Sequence, residues 1–333
     1  MRLPPLRKYI LITIKLFVLS LLLLWIAKTF KQEDWDALVH QKKNWGLLAA
    51  SLILVLAANV LSFFRWHVFV HALEVPFTVR EAIRLGFLGT LFNFVSLGAV
   101  GGDLFKAIAA ARQAGRKRTE VIASVLVDRA LGLLGLVIVA AISLQMFIGI
   151  LTPTLDWIRR GAWLFSAIGL GSLALVVFAG HRLPVKWLNH VPGIGHTLHR
   201  MASAGMIFEG RPFLVASLVA MSCMVHSILT YGMYLVSIAL YTNAPTLADH
   251  FLTVPPSFAA AALPLTPGGV GVQEAAIVKL FKELPNLPNG FSGLAVAAMF
   301  RLEGILVAAI GGIYYVFGAT EIKKIKKQAE EEA

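Results

Sequence analysis

The chain has 333 residues, of which 58% are hydrophobic and 14% charged, and its mean hydropathy is +0.76. Soluble domains average about 25% charged residues, so this composition excludes a soluble protein and leaves an integral membrane protein. The net charge of +12 does not imply nucleic acid: the basic residues sit in short loops and at the two ends, where membrane proteins gather Lys and Arg on the cytoplasmic side and hold anionic lipid headgroups.

A helix needs about 20 apolar residues to cross the hydrocarbon core. Arg2, Arg7 and Lys8 precede an apolar run from Tyr9 to Ala27. That run is long for a signal peptide, and Lys28-Thr29-Phe30-Lys31 follows it instead of a small-residue cleavage site. It is predicted to be a retained first transmembrane helix. Lys31–Lys43, which holds Trp35, Leu38 and Val39, reads as an interfacial helix or loop. Further spans are predicted over Trp45–Val70, Val121–Leu151, Ala162–Ala179, Phe213–Tyr241 and Leu294–Phe317. Trp25, Trp45, Trp66, Trp157 and Trp163 lie near the ends of such runs, as interface anchors do.

Two apolar segments fall short of a full span. Ile83–Val100 runs into Gly101-Gly102-Asp103 and then the basic cluster Arg112, Arg116, Lys117, Arg118. Phe251–Leu263 runs into Pro264-Leu265-Thr266-Pro267-Gly268-Gly269-Val270-Gly271-Val272-Gln273-Glu274, followed by Glu274–Phe281 and a Pro-rich loop. Both are predicted to be re-entrant helical hairpins. With the N-terminus inside, Arg80, Arg84 and the Arg112–Arg118 cluster fall inside, as do Arg182, Lys186, Arg200, Arg211 and the terminal lysines from Lys323 to Lys327. Lys28, Lys31, Lys42, Lys43, Arg159 and Arg160 fall outside, against the rule. The expected architecture is an all-α polytopic membrane protein of about six transmembrane helices plus two hairpins entering from opposite faces. It forms one membrane domain over 1–333, with possible halves 45–151 and 211–317 related as an inverted repeat and a charged cytoplasmic tail at 318–333.

Broken helices at corresponding places in two halves point to a transporter's binding site. Unwound backbone at membrane depth needs packed protein or a polar cavity. Asp103 and Glu274 close the two breaks. Each reads either as a carboxylate at a helix N-terminus or as a group orienting a cation, a headgroup ammonium or a partner Arg. Asp128 and Arg129 are adjacent within an apolar run, and intramembrane charges usually mark a pathway or a pair. Neighbouring residues do not face each other on a helix, so both need partners elsewhere or a wet cavity, unless they sit at the cytoplasmic interface with Arg129 snorkelling. Arg301 and Glu303 in the last span pose the same question. Arg65 is either an interface anchor beside Trp66 or a phosphate ligand. Asn59 and Asn93 read as inter-helix hydrogen bonders, and Gly86, Gly89, Gly132 and Gly135 as close-packing positions. His67, His71 and His226 are isolated, and the single cysteine, Cys223, sits in an apolar stretch. No metal-ligand cluster, catalytic triad or phosphate-cradling loop is legible, so no metal, cofactor, catalytic residue or ATPase activity is expected.

As a set, Arg65-Trp66, Asn93 followed by Gly101-Gly102-Asp103, Asp128-Arg129, Pro264 through Glu274, and Arg301 resemble the membrane region of lysylphosphatidylglycerol synthases, a family often called flippase-like. The resemblance covers nearly the whole chain. It departs from the family pattern at Asp128-Arg129, where Glu-Arg is usual, and at Ser96-Leu97-Gly98, where a proline usually precedes the first glycine pair. It implies the lipid-translocating half alone, without the soluble domain that makes aminoacylated lipid. The function expected is movement of a phospholipid or polyprenyl-linked headgroup between leaflets of a bacterial or archaeal cytoplasmic membrane. Both termini would be inside, and self-association stays open. Arg65, Arg129 and Arg301 would hold phosphate. Asp103, Asp128, Glu274 and Glu303 would hold amines or the arginines. Asn93, Gly101, Gly102, Pro267, Gly268, Gly269 and Gly271 would shape the path. The alternatives are a membrane-embedded transferase acting on a lipid carrier and a scaffold for a lipid-modifying enzyme.

Overall fold

The computed structural model describes residues 42–95, 101–112, 117–147, 151–182, 205–263 and 265–317, with isolated positions 32, 35, 39, 195, 199, 202 and 203. The predicted span Tyr9–Ala27, Trp25, most of Lys31–Lys43, Ser96–Val100, Pro264 and the tail 318–333 lie outside the described residues. Among the described residues there are nine α-helices and no strand. Five are long and apolar enough to cross a membrane: α1 (Trp45–Ala72), α4 (Arg118–Met146), α5 (Pro153–Ala179), α6 (Pro212–Leu240) and α9 (Gly293–Phe317). The other four are α2 (Val79–Val95), α3 (Gly101–Ala111), α7 (Leu247–Ala262) and α8 (Val272–Lys282).

Side-chain caps set the helix starts. Asn44 accepts from the Leu47 N–H at the head of α1, and Thr152 accepts from the Leu155 N–H before Pro153 of α5. Thr78 with Glu81, and Thr246 with Asp249, form reciprocal capping boxes on α2 and α7. The α5 start corrects the prediction of Ala162. Asp156 pairs with both Arg159 (2.5 Å) and Arg160 (2.8 Å), so two charged turns that depress local hydropathy are neutralised on the helix surface. In α7 the helix runs through Pro255 and Pro256, both buried. Each proline removes an N–H donor, which deprives the Phe251 and Leu252 carbonyls of their usual partners.

The four short helices form two hairpins. At about 1.5 Å per residue, α2 and α7 are about 25 Å long and α3 and α8 about 16 Å, against a hydrocarbon core of about 30 Å. In the first pair, Asn93 Oδ1 accepts from the Gly102 N–H at 3.2 Å and Phe92 meets the Phe105 ring. The C-terminal end of α2 therefore faces the start of α3. In the second pair, Ala261 abuts Gly269 and His250 meets Phe281 at the far end. Both pairs are antiparallel.

The helices from α1 to α4 measure 28, 17, 11 and 29 residues, and those from α6 to α9 measure 29, 16, 11 and 25. Their packing matches as well. Helix α2 lies on α9 as α7 lies on α4, and the most extensive interface joins α1 to α6. Arg65 meets Ser222, Ser51 meets Gly232, and the Asn44 N–H donates to the Ala239 carbonyl, so α1 and α6 run antiparallel. Helix α5 lies at the periphery against α4 and leaves Leu164, Phe165, Ile168 and Phe178 exposed.

The expected close-packing glycines are so used. A Cβ on Gly86 would lie 2.3 Å from the Phe63 ring, and one on Gly135 would lie 2.3 Å from Ser222 Cβ. Asn59 departs from the prediction: its amide donates to the Val55 carbonyl of its own helix, at 2.8 Å. Trp45 and Trp157 are exposed near helix starts, as anchors are, but Trp66 is buried to 1%. Its indole N–H donates to Ser124, so it is a core residue that ties α1 to α4. Proximity to a helix end does not reveal which side of the helix is covered.

Candidate functional site

A cavity of about 610 Å³ collects polar side chains from most of the helices. At about 1.5 Å per residue, Arg65 lies about 10 Å from the C-terminal end of α1. Asp128 lies about 15 Å into α4, and Arg301 about 12 Å into α9. The three charges therefore lie within the lengths of three long apolar helices, where unpaired charge is costly.

Three ionic clusters line or support this cavity. In the first, Arg65 Nε donates to Asp128 Oδ1 at 2.8 Å and Nη2 donates to Oδ2 at 3.1 Å. Nη1 donates to Ser222 Oγ at 2.9 Å, and Nη2 also reaches the Asp128 carbonyl at 3.2 Å. Arg65 and Asp128 are 4% and 6% exposed. This bidentate geometry suits guanidinium and carboxylate. Arg65 is thus a buried residue that ties α1 to α4 and α6, and Asp128 finds its partner on α1.

In the second cluster, Asp103 on α3 is shared. Lys106 Nζ lies 2.8 Å from Asp103 Oδ1, and Arg129 on α4 pairs with Oδ2. Lys106 Nζ also sits 5.6 Å above the Trp66 ring, within cation–π range. Arg129 keeps 43% of its side chain exposed, so it faces the cavity while paired.

The third cluster holds the second break. Gly268, Gly269 and Gly271 have φ of 58°, 67° and 84°, a left-handed region that only glycine enters without cost. Unwinding there leaves carbonyls without intrahelical donors, and Arg301 supplies them. It donates to the Gly268 carbonyl at 2.9 Å, the Gly269 carbonyl at 3.4 Å and Gln273 Oε1 at 2.9 Å. Its Nε meets Glu274 Oε1 at 2.7 Å, while Glu274 Oε2 accepts from the Gly271 N–H at 2.7 Å. Pro267 opens the short 3₁₀ turn that carries these glycines.

The second break packs against the C-terminal end of α2. A Cβ on Gly268 would lie 3.5 Å from the Asn93 carbonyl and 3.7 Å from the Phe94 ring. Gly101 starts α3. A Cβ on Gly102 would lie 1.9 Å from the Gly89 carbonyl, so glycine is needed there for the two backbones to approach. Among the described residues, four cations (Arg65, Lys106, Arg129 and Arg301) converge with three carboxylates (Asp103, Asp128 and Glu274), an excess of one positive charge. Apolar side chains such as Leu133, Leu136, Phe258 and Phe300 complete the wall. Along the same helices α4, α6 and α7 lies a second cavity of about 420 Å³, lined by Ile142, Met146, Cys223 and Phe251 among others. Among the described residues, no three His, Cys, Asp or Glu side chains converge as a metal site requires.

Of the residues singled out in the sequence, Arg65, Asn93, Asp103, Asp128, Arg129 and Arg301 line the cavity. Glu274, Gly268, Gly269 and Gly271 stand behind Arg301. Glu303 is elsewhere, in the seam between α9, α1 and α6. Sequence reasoning missed Lys106, Ser222, Gln273 and Phe258. Lys106 had a signal, since it lies three residues after Asp103 and such pairs share a helix face. His226, read as isolated, lines the cavity and has Nε2 3.0 Å from the Gly132 carbonyl.

These features define a multi-pass helical membrane protein with a charged cavity among its long apolar helices. The chain belongs to the family of the lysylphosphatidylglycerol synthase TM region, whose profile matches residues 12–312. No curated protein and no solved structure matches it.

Proposed function

We propose that this protein moves a lipid with a phosphate-bearing headgroup, a phospholipid or a polyprenyl-linked one, between the leaflets of the membrane. The observation that carries the reading is the 610 Å³ cavity, lined among the described residues by four cations and two carboxylates beside apolar walls, with Glu274 behind Arg301. A headgroup must shed water to cross, and charge-assisted hydrogen bonds replace what it loses. The excess cation favours an anion, while Asp103, shared between two cations, leaves room for an amine. Apolar surfaces along α4, α6 and α7 suit the acyl chains. Family membership supports a lipid-related membrane role.

In this reading α2–α3 and α7–α8 are re-entrant hairpins. Exchanging α1–α4 with α6–α9 swaps two antiparallel helices, α1 and α6, so the relating axis would lie in the membrane plane, as in inverted repeats. Placing Arg80, Arg84, Lys117 and Arg211 in the cytoplasm follows the positive-inside rule, with Lys42, Lys43, Arg159 and Arg160 left outside against it, and has the second hairpin enter from the opposite face. Alternating exposure of one cavity to each leaflet follows from such symmetry.

The test is lipid movement in vesicles containing the purified protein, read with fluorescent phospholipid and a leaflet-impermeant quencher. Arg129→Ala is expected to slow movement about tenfold or more, since a hydrogen bond to a charged group contributes about 1.5–3 kcal/mol. Undiminished movement by a folded Arg129→Ala protein would overturn this assignment.

A further inference from the structure

The buried charges at the cavity have partners, but Glu303 has no cation. It lies about 15 Å into α9, near the middle of the span, and is 4% exposed. Among the described residues it makes no ion pair. Its Oε2 meets Ser51 Oγ of α1 at 2.7 Å, and its buried Oε1 has no hydrogen-bond partner. The surrounding charges are committed elsewhere. Arg301, on the same helix, is held by Glu274 and the second break. On α1, Arg65 is paired with Asp128 and lies about 21 Å from Ser51 along the axis. On α6, Tyr231 and Tyr234 flank Gly232, and His226 bonds to the Gly132 carbonyl. At the level where α2 meets Gly304, α2 presents Phe94. Helix α8 offers Glu274, already taken, and its lysines, Lys279 and Lys282, lie in its last turn, beside the contact of Phe281 with Gly293.

The hydrogen bonds around Ser51 favour a protonated carboxyl. Ser51 Oγ lies 2.7 Å from Glu303 Oε2 and also 2.9 Å from the Gly232 carbonyl of α6. A hydroxyl has one proton. A carbonyl cannot donate, so if Ser51 donates to Gly232, the other contact needs a donor on the carboxyl. A protonated Glu303 supplies it, and both bonds are then made. An ionised Glu303 would be buried with one hydrogen bond and no counter-charge, which low-dielectric surroundings penalise heavily.

We propose that Glu303 is a proton-binding site that couples lipid movement to a transmembrane proton gradient. The coupling part rests on the transport reading above; the protonated carboxyl does not. Phe300, Arg301 and Gly304, within one turn of Glu303, line the cavity, so a proton from cavity water has a short route to the carboxylate. Losing that proton leaves a charge in the seam joining α1, α6 and α9. Those helices belong to the two halves whose relative movement transport requires, so the seam opens on deprotonation and closes on protonation.

In vesicles containing the protein, an imposed pH gradient is expected to change wild-type lipid movement several-fold. Glu303→Gln, whose amide can still donate to Ser51, is expected to move lipid at one rate with and without the gradient. Wild-type movement indifferent to the gradient would overturn the coupling and leave the transport reading standing. A wild-type protein that moves no lipid at all would overturn transport and coupling together. The proton site is then read by infrared spectroscopy of the reconstituted protein. A protonated-carboxyl carbonyl band present at neutral pH in wild type and missing in Glu303→Gln supports it. Identical spectra from the two proteins would overturn it.

Discussion

The two glycine breaks share a local plan and diverge in use. Asp103 and Glu274 are each the third residue of the helix that follows the break. Glu274, one methylene longer, reaches back to the Gly271 N–H and holds Arg301 behind the cavity wall. Asp103 faces Lys106 and Arg129, and the Gly102 N–H is taken by Asn93. The second break is therefore held by an arginine, and the first by direct backbone contact between Gly102 and Gly89. One acid serves structure and the other faces the path, a division that equal spacing in the sequence conceals.

Substitutions can break or sharpen this contrast. The largest effect is expected from Arg301→Ala. It strands Glu274 as a buried charge and frees two glycine carbonyls, a loss of about 3–5 kcal/mol. Arg129→Ala, at a half-exposed pair, should cost about 1 kcal/mol or less. Thermal unfolding in detergent compares them, and equal losses would erase the distinction. Next comes Gly102→Ala, which must force α2 and α3 apart at about 1–3 kcal/mol and should also slow lipid movement. Side-chain reach gives a finer test. Glu274→Asp should lose the Gly271 N–H and about 1 kcal/mol, while Asp103→Glu should leave stability nearly unchanged; the reverse ranking would mean that the acids have been assigned the wrong roles. The smallest effect lies far from both breaks. Lys117 hydrogen-bonds Glu74 in the loop after α1, and chiefly through that bond holds its carboxyl below the usual value of about 4.5. A depressed carboxyl stabilises the fold above its unfolded value, and this contribution disappears as pH falls through the lowered one. Lys117→Ala should remove that acid dependence while leaving lipid movement intact, which a pH series of unfolding curves would read.

Much of the fold was legible because entry into a bilayer is decided by local hydropathy. Trp45–Val70, Phe213–Tyr241 and Leu294–Phe317 match α1, α6 and α9 to within a few residues. The prediction slipped at α5, where Asp156, Arg159 and Arg160 cancel one another on the helix surface, an arrangement that a hydropathy sum does not register. The site was legible as a set of residues and not as a set of pairs. Asp128 and Arg129 clearly required partners, but nothing along the chain matched Asp128 with Arg65, 63 positions away, or Arg129 with Asp103. Gln273 was overlooked because it takes its role from Arg301 on another helix, whereas Lys106 pairs with Asp103 on its own helix and could have been read from the spacing.

By itself, then, the sequence determined that the chain enters a membrane, where most of its described long helices lie and where helical hydrogen bonding fails. Each of these follows from the chemistry of a few consecutive residues. Only the tertiary structure decided which acid meets which base, that the second break packs against the end of α2, and that Glu303 stands without a cation among the described residues. Those outcomes depend on which faces of distant helices come together, and that is fixed by packing across the whole bundle.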